Sequence, residues 1–273
     1  MPKQNVLKLI IFSDLHYLDQ NHSEQYNRKL THLAIPLLEH LTSKINDEIR
    51  PDACIYLGDL IEDTNNHDRD IKNLKYIFRK LQEIEVPLYV VPGNHDLRSM
   101  DSRKEWEAIS ETGSATFSVD LKGYHLVFLG LDVRNNLGND EGGILKTQYI
   151  SEADLEWLKK DLQSNKKTCL LFHHYGIAND DMTDNWWFAD CPRNALLVNR
   201  NEVKEIIEKE GVIGVFSGHQ HWTKRLFEQG INYFVVGSIS ENSNGNGVPD
   251  GIYLEVELGD KTVNVVEKHI ELI

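Results

Sequence analysis

Leu88-Tyr89-Val90-Val91-Pro92-Gly93-Asn94-His95-Asp96 is the stretch on which the reading of this chain turns. A short apolar run meets a breaker and then delivers three residues able to bind a metal or carry a proton. Four other apolar runs end in the same manner. Residues 6–12 lead into Asp14 and His16, and residues 53–57 into Gly58-Asp59. Residues 169–172 lead into His173-His174, and residues 212–216 into Gly218-His219-Gln220-His221. Open α/β sheets bind ligands beyond the carboxyl ends of their strands, so side chains that follow five strands can converge on one point.

The segments between these runs carry helical periodicity. Leu30, Leu33, Ala34, Leu37, Leu38, Leu41 and Ile45 form one stripe, with Pro36 expected to kink or restart it. Ile71, Leu74, Ile77, Phe78, Leu81 and Ile84 form a second, with Asp70 as the expected N-cap. Strand, helix, strand, helix, strand predicts a right-handed βαβαβ unit. Further strands are expected at 115–119, 124–131, 168–172 and 212–216. Helices are expected after Ser151, which opens a capping box, and around Val203, Ile206 and Ile207. A β-hairpin turning at Gly259-Asp260 closes the chain over residues 252–267. Residues 133–146 read as a loop. Residues 176–193 show no period, carry Trp186-Trp187, and read as a lid or insert. The expected organisation is a single α/β domain over residues 1–273, with a two-layer β interior and helices outside.

Bulk properties narrow the function. A chain of 273 residues, 40% of them hydrophobic, can build one large core. Its formal charge of −14 argues against a nucleic-acid polymer or an anionic membrane as partner. A small anionic substrate is still acceptable, because a bound metal inverts the local field. Three cysteines provide no disulfide framework, so a cytoplasmic location is expected. The first apolar run is too short to span a bilayer and passes straight into Asp14 and His16, so it reads as a strand rather than a leader. Homo-oligomerisation is compatible with this length.

As possible ligands the strand ends bring two Asp, Asp14 and Asp59, with one Asn and up to six His. Hard oxygens mixed with imidazoles suit Mn, Fe or Zn, and are too rich in nitrogen for a Mg or Ca cage. At least seven donors exceed what one tetrahedral ion needs. Two ions sharing a carboxylate would use them, and paired ions activate water and stabilise charge in phosphoester cleavage. Asp59 is the natural bridge, with Gly58 allowing close backbone approach. The histidines outside these strand ends, such as His125, read as solvated or structural, and Arg98 and Arg134 as surface charges.

Taken together, Asp14-x-His16, Gly58-Asp59, Gly93-Asn94-His95-Asp96, His173 and Gly218-His219-x-His221 resemble the five blocks of the calcineurin-like metallophosphoesterase family, in the family's order. The resemblance implies a four-layer α/β/β/α sandwich with two mixed β-sheets around a dinuclear centre. It implies Asp14, His16, Asp59 and His221 at one metal, and Asp59, Asn94, His173 and His219 at the other. His95 would protonate the leaving group, with Asp96 a candidate to orient it. The fourth block lacks the family's usual proline. His173 is the expected ligand if Tyr175 takes the proline position, and His174 if Gly176 does. His174 and Trp186 are also candidates to touch substrate.

The expected activity is hydrolysis of a small phosphodiester, such as a cyclic nucleotide or glycerophosphodiester, by a metal-bridging hydroxide. A phosphomonoesterase or nucleotide pyrophosphatase is the alternative. A non-catalytic scaffold is disfavoured because His95 and every ligand type are present.

Overall fold

The computed structural model describes residues 6–19, 28–134, 146–259 and 262–272. Its strands are β1 (Leu7–Phe12), β2 (Ala53–Tyr56), β3 (Leu88–Val90), β4 (Phe117–Leu121), β5 (Tyr124–Phe128), β6 (Thr168–Phe172), β7 (Val212–Ser217), β8 (Lys224–Glu228), β9 (Ile231–Val235), β10 (Ile252–Gly259) and β11 (Thr262–His269). They form a five-stranded sheet in the order β11-β10-β1-β2-β3 and a six-stranded sheet in the order β4-β5-β6-β7-β9-β8. Both are mixed. β1, β2 and β3 run parallel, as do β5, β6, β7 and β9, with antiparallel strands at the margins.

The apolar runs serve two faces at once. Along β1, Leu7, Leu9 and Ile11 enter the core between the sheets, while Ile10 and Phe12 pack against the helices. A ladder of stacked rings crosses the second sheet, Phe117–Phe128–Phe172–Phe216–Phe234, with centroids 4.6, 5.1, 5.5 and 4.8 Å apart. Helices α1 (Ala34–Lys44), α2 (His67–Leu81), α3 (Asn94–Leu97), α4 (Arg103–Ser110), α5 (Glu152–Ser164) and α6 (Arg200–Glu210) complete an α/β sandwich.

Several local expectations change. Pro36 sits in the first turn of α1, where its missing N–H costs nothing, so it starts the helix and does not kink it. Asn66, not Asp70, caps α2 by accepting from the Arg69 N–H. Asp70 is buried and accepts from the Thr64 backbone and hydroxyl. Ser151 caps α5 as expected, accepting from the Asp154 N–H at 3.1 Å. The hairpin of β8 and β9 was not foreseen, because its apolar residues are broken by Lys224, Arg225 and Glu228. Residues 135–145 of the expected 133–146 loop, and Asp260 of the expected hairpin turn, lie outside the described residues. Among the described residues no helix is long and apolar enough to cross a membrane.

Candidate metal centre

Parallel β1, β2, β3, β6 and β7 all end at the same edge of the sandwich, and the side chains that follow them meet there. The backbone is bent sharply to achieve this. Asp14, His16, Asp59, His219 and His221 all adopt positive φ, between 50° and 66°. Left-handed conformations cost a non-glycine residue about 1–3 kcal/mol and persist only where the surroundings impose them. Here the cause is the abrupt exit from a strand into a crowded junction. Gly93 shows how close the chains lie: a Cβ on it would stand 2.1 Å from Asp59 Oδ1 and 2.2 Å from the Asp59 nitrogen.

Two groups of donors are joined by Asp59. In the first, the Nε2 atoms of His16 and His221 face each other at 3.0 Å, and His221 Nε2 is 3.3 Å from Asp14 Oδ1. In the second, His174 Nε2 is 3.1 Å from Asn94 Oδ1 and 3.4 Å from Asp59 Oδ2, with His219 beside them. The His95 backbone N–H holds Asp59 Oδ1 at 2.8 Å. Asp59 Oδ2 is thereby left facing His174, His16 at 3.8 Å and His95 at 4.0 Å.

The far nitrogen of each imidazole is engaged. His16 Nδ1 meets Glu62 at 2.8 Å, and His221 Nδ1 meets Glu241. His174 Nδ1 donates to the Leu57 carbonyl at 2.7 Å, and His219 Nε2 to the Asn194 carbonyl at 2.9 Å. Such partners fix the tautomer and aim the other nitrogen's lone pair inward, which is the outer arrangement of metal-binding histidines. The inward atoms are therefore acceptors facing acceptors. Asp14 Oδ1 is buried, and His221 Nε2, 3.3 Å away, can donate to it only when that imidazole carries a second proton.

The electrostatics follow. Burial opposes the charged form of His174, but Asp59 overrides it and lifts the pKa to about 9. Burial would raise Asp14, yet His221 and His174 hold it below the usual carboxylate range. Burial lowers both His219 and His16, the latter to about 3 with Lys29 adding to the effect. The cluster draws positive charge inward, either as extra protons on its imidazoles or as cations. Two carboxylates, an amide oxygen and converging imidazole lone pairs fit a pair of borderline divalent ions.

Most of the expected residues meet here: Asp14, His16, Asp59, Asn94, His219 and His221, with His95 at the edge. His173 does not. Its ring points away, with Nδ1 on the Leu129 carbonyl at 2.7 Å and Nε2 buried without a partner. His174 occupies the inner position, one residue further along, because the strand's alternation sends consecutive side chains to opposite sides. Asp96 does not touch His95 through its side chain. It accepts the N–H groups of Leu60, Ile61 and Gly93 at 2.8, 3.2 and 2.9 Å, tying two of the loops together. Burial, reinforced by Asp59, lifts its pKa to about 8. The partner of His95 is Asp63, whose Oδ1 lies 2.5 Å from Nδ1 and also receives Arg98 at 3.1 Å.

Sequence reasoning missed Glu62, Asp63, Glu241, Arg28 and Lys29. The acidic pair just after Gly58-Asp59 was a usable signal, whereas nothing marked Glu241. Lys29 Nζ reaches Glu62 at 2.7 Å, His95 Nε2 at 3.2 Å and His16 Nδ1 at 3.3 Å. Arg28 pairs with Glu241 at 3.1 Å and lies 4.0 Å over the Trp187 ring. Trp186 is 61% exposed and stands edge-on to Trp187 and Trp222, 5.6 and 5.8 Å between centroids. The 176–193 segment is anchored by buried Met182 and Phe188, and by Asn185, which donates to the Gln220 carbonyl at 3.1 Å. Lys224 ties Asp180 and Asp184 to β8, each at 2.8 Å.

Comparison with known proteins matches this arrangement. A probable glycerophosphodiester phosphodiesterase of Arcobacter nitrofigilis is 27% identical over 181 residues, 63% of this chain and 57% of that protein. A probable cyclic nucleotide phosphodiesterase of Psychrobacter arcticus is 25% identical over 199 residues, 70% of this chain and 64% of that protein. The matches thus span somewhat more than half the length of these relatives. In three dimensions a dimetal phosphatase from Danio rerio superposes with a TM-score of 0.70 at 17% identity, covering 96% of this chain and 98% of the other, a likeness of fold. The Calcineurin-like phosphoesterase model matches residues 7–223, which include all five strand-end blocks, and the chain belongs to that family.

Proposed function

We propose that this protein hydrolyses small phosphodiesters at the Asp59 cluster. The observation that carries the reading is the position of Asp59 Oδ2, shared between two groups of converging donors, with His95 Nε2 4.0 Å away. Asp14, His16, Asp59 and His221 would hold one ion, and Asp59, Asn94, His174 and His219 the other, with Mn, Fe or Zn the ions their chemistry suits. Bound there, a metal pair supplies Lewis acidity toward the phosphoryl oxygens and acidifies water.

The chain's own residues supply the rest. Asp63 keeps the Nδ1–H tautomer of His95 and turns Nε2 toward the centre, where it can hold the proton that the departing oxygen takes up. Glu62 and Glu241 hold His16 and His221 in the orientation that binds. Asp96 keeps the loops carrying Asp59 and Asn94 together. Trp186 stands on the rim on the His221 side, where it can cover the part of a substrate that stays on phosphorus. The names of the two relatives favour a diester over a monoester.

The test is steady-state hydrolysis by Mn²⁺-reconstituted protein of a matched aryl phosphodiester and aryl phosphomonoester. A kcat/KM strongly favouring the diester supports the proposal. A strong preference for the monoester replaces it with a phosphatase.

A further inference from the structure

Arg28 stands between the 176–193 segment and one group of donors. Its Nε lies 3.1 Å from Glu241 Oε1, and the other oxygen of that carboxylate meets His221 Nδ1. Its Nη2 is 3.3 Å from the same His221 nitrogen. Its guanidinium carbon also lies 4.0 Å from the centre of the Trp187 ring and 5.8 Å from that of Trp222. The backbone around it is fixed: the Arg28 carbonyl accepts from the Asn242 N–H at 2.7 Å, and the Leu30 N–H donates to the Ser240 carbonyl at 2.9 Å. Trp187 is fixed in turn. Its N–H donates to Asn185 Oδ1 at 3.1 Å, and the Asn185 amide donates to the carbonyl of Gln220, between His219 and His221, at 3.1 Å. Contacts therefore run in a chain from Trp187 through Arg28 and Glu241 to His221. Among the described residues Arg28 makes no hydrogen bond, ion pair or ring contact with Asn94, His174 or His219.

We infer that Arg28 and Trp187 are positioning residues for His221, through which the 176–193 segment sets the metal affinity of the Asp14 group. The inference rests on the metal centre proposed above and adds to it a control from outside. Glu241 is fully buried, and its carboxylate aims one oxygen steadily at His221 only while the other is held. The planar guanidinium holds it as a fork, and its charge offsets the burial of the carboxylate. Trp187 acts one step further out. Its ring attracts the guanidinium and shields it from water, which strengthens the ion pair beneath by keeping the local dielectric low. The segment's contact with His219 runs instead through Phe188, 5.3 Å between ring centres, so Trp187 and Arg28 address one group of donors only. A segment that merely covered substrate would change KM when Trp187 was removed and would leave metal binding alone.

The test is Mn²⁺ titration of the chelator-treated full chain by calorimetry. Wild type and Glu241→Gln are compared with Trp187→Ala, Trp187→Phe, Arg28→Lys and the double variant Trp187→Ala, Glu241→Gln. Trp187 is 53% exposed, so its removal opens no core. Trp187→Ala should weaken, by about threefold to tenfold, the same ion that Glu241→Gln weakens, and leave the other ion unchanged; that is the share a cation–π contact can carry. Trp187→Phe keeps a ring face for the guanidinium and should restore most of the affinity. Arg28→Lys keeps the charge but neither fork nor stacking, and should weaken that ion by about tenfold or more. Because the contacts form one chain, the double variant should bind little worse than Glu241→Gln alone. Unchanged affinity in Trp187→Ala and Arg28→Lys, equal weakening of both ions, or losses that multiply in the double variant would overturn the inference and leave the metal centre standing. A wild-type protein that takes up no Mn²⁺ would remove the centre and the inference together.

Discussion

Asp63 Oδ1 stands 2.5 Å from His95 Nδ1 and shares that oxygen with Arg98 at 3.1 Å. The carboxylate lies on the loop after β2 and the histidine at the start of α3, so one contact joins the end of one strand to the acid delivered by the next. Asp63 is nearly buried, with 3% of its side chain exposed, which keeps solvent from competing for the imidazole. The pairing gives His95 one tautomer and one direction.

Asp63→Asn keeps the shape and removes the charge that fixes this tautomer. The expected result is a fall in kcat of about 10²-fold or more, the scale of a general acid's contribution, with metal content unchanged. Kinetics and metal analysis on the same preparation check it. If kcat is normal, His95 is not the proton donor. If metal is lost, the carboxylate belongs to the cluster itself.

Glu241→Gln tests the outer partner of His221. Glu241 is fully buried and bridges His221 and Arg28, so the amide would leave the imidazole less basic and less firmly aimed. Metal affinity at the Asp14 group should fall by about 10–100-fold, the usual effect of losing such a partner. Calorimetric titration should show one weakened site and one unchanged site. Two unchanged sites would remove Glu241 from the account.

His173→Ala and His174→Ala should differ in kind. Without His174, the Asn94 and His219 group lacks its imidazole, and one equivalent of metal should be lost along with activity. Without His173, the Leu129 carbonyl loses a buried donor, which costs about 1–3 kcal/mol of stability, while both metals and turnover are retained. Metal stoichiometry and thermal melting separate the two. Loss of metal from His173→Ala alone would reverse the assignment.

That pair also shows what the sequence could convey. Alternation along a strand states that consecutive residues face opposite ways, but not which of two adjacent histidines faces inward once the strand ends. Leu57 and Leu129 settle it, because each carbonyl takes one Nδ1, and neither is near residue 174 in sequence. The five apolar runs and the residues after them were legible because strand and ligand are contiguous. Glu62 and Asp63 were half legible, standing within a few residues of Asp59. Glu241 and Lys29 were not, since they reach the site through an isolated bridge between two loops that no period announces. The β8 hairpin was hidden for a related reason: it is a margin of its sheet, so its exposed face has no need of apolar residues.

Chelation offers a test that needs no substrate. Asp14, His16, Asp59, His219 and His221 hold left-handed backbone conformations, and the buried Asp14 Oδ1 faces the His221 imidazole at 3.3 Å. A cation that binds this native arrangement and not the unfolded chain stabilises it by about 2.7 kcal/mol at a concentration 100 times its Kd. For a chain of this size that corresponds to a Tm about 5–10 °C higher with Mn²⁺ than with EDTA. In Asp59→Asn, where the shared carboxylate is gone, the same comparison should give a much smaller shift. A wild-type Tm indifferent to both Mn²⁺ and EDTA, at saturating metal, would mean that the converging acceptors are reconciled by protons alone, and would remove the metal centre on which the hydrolytic reading depends.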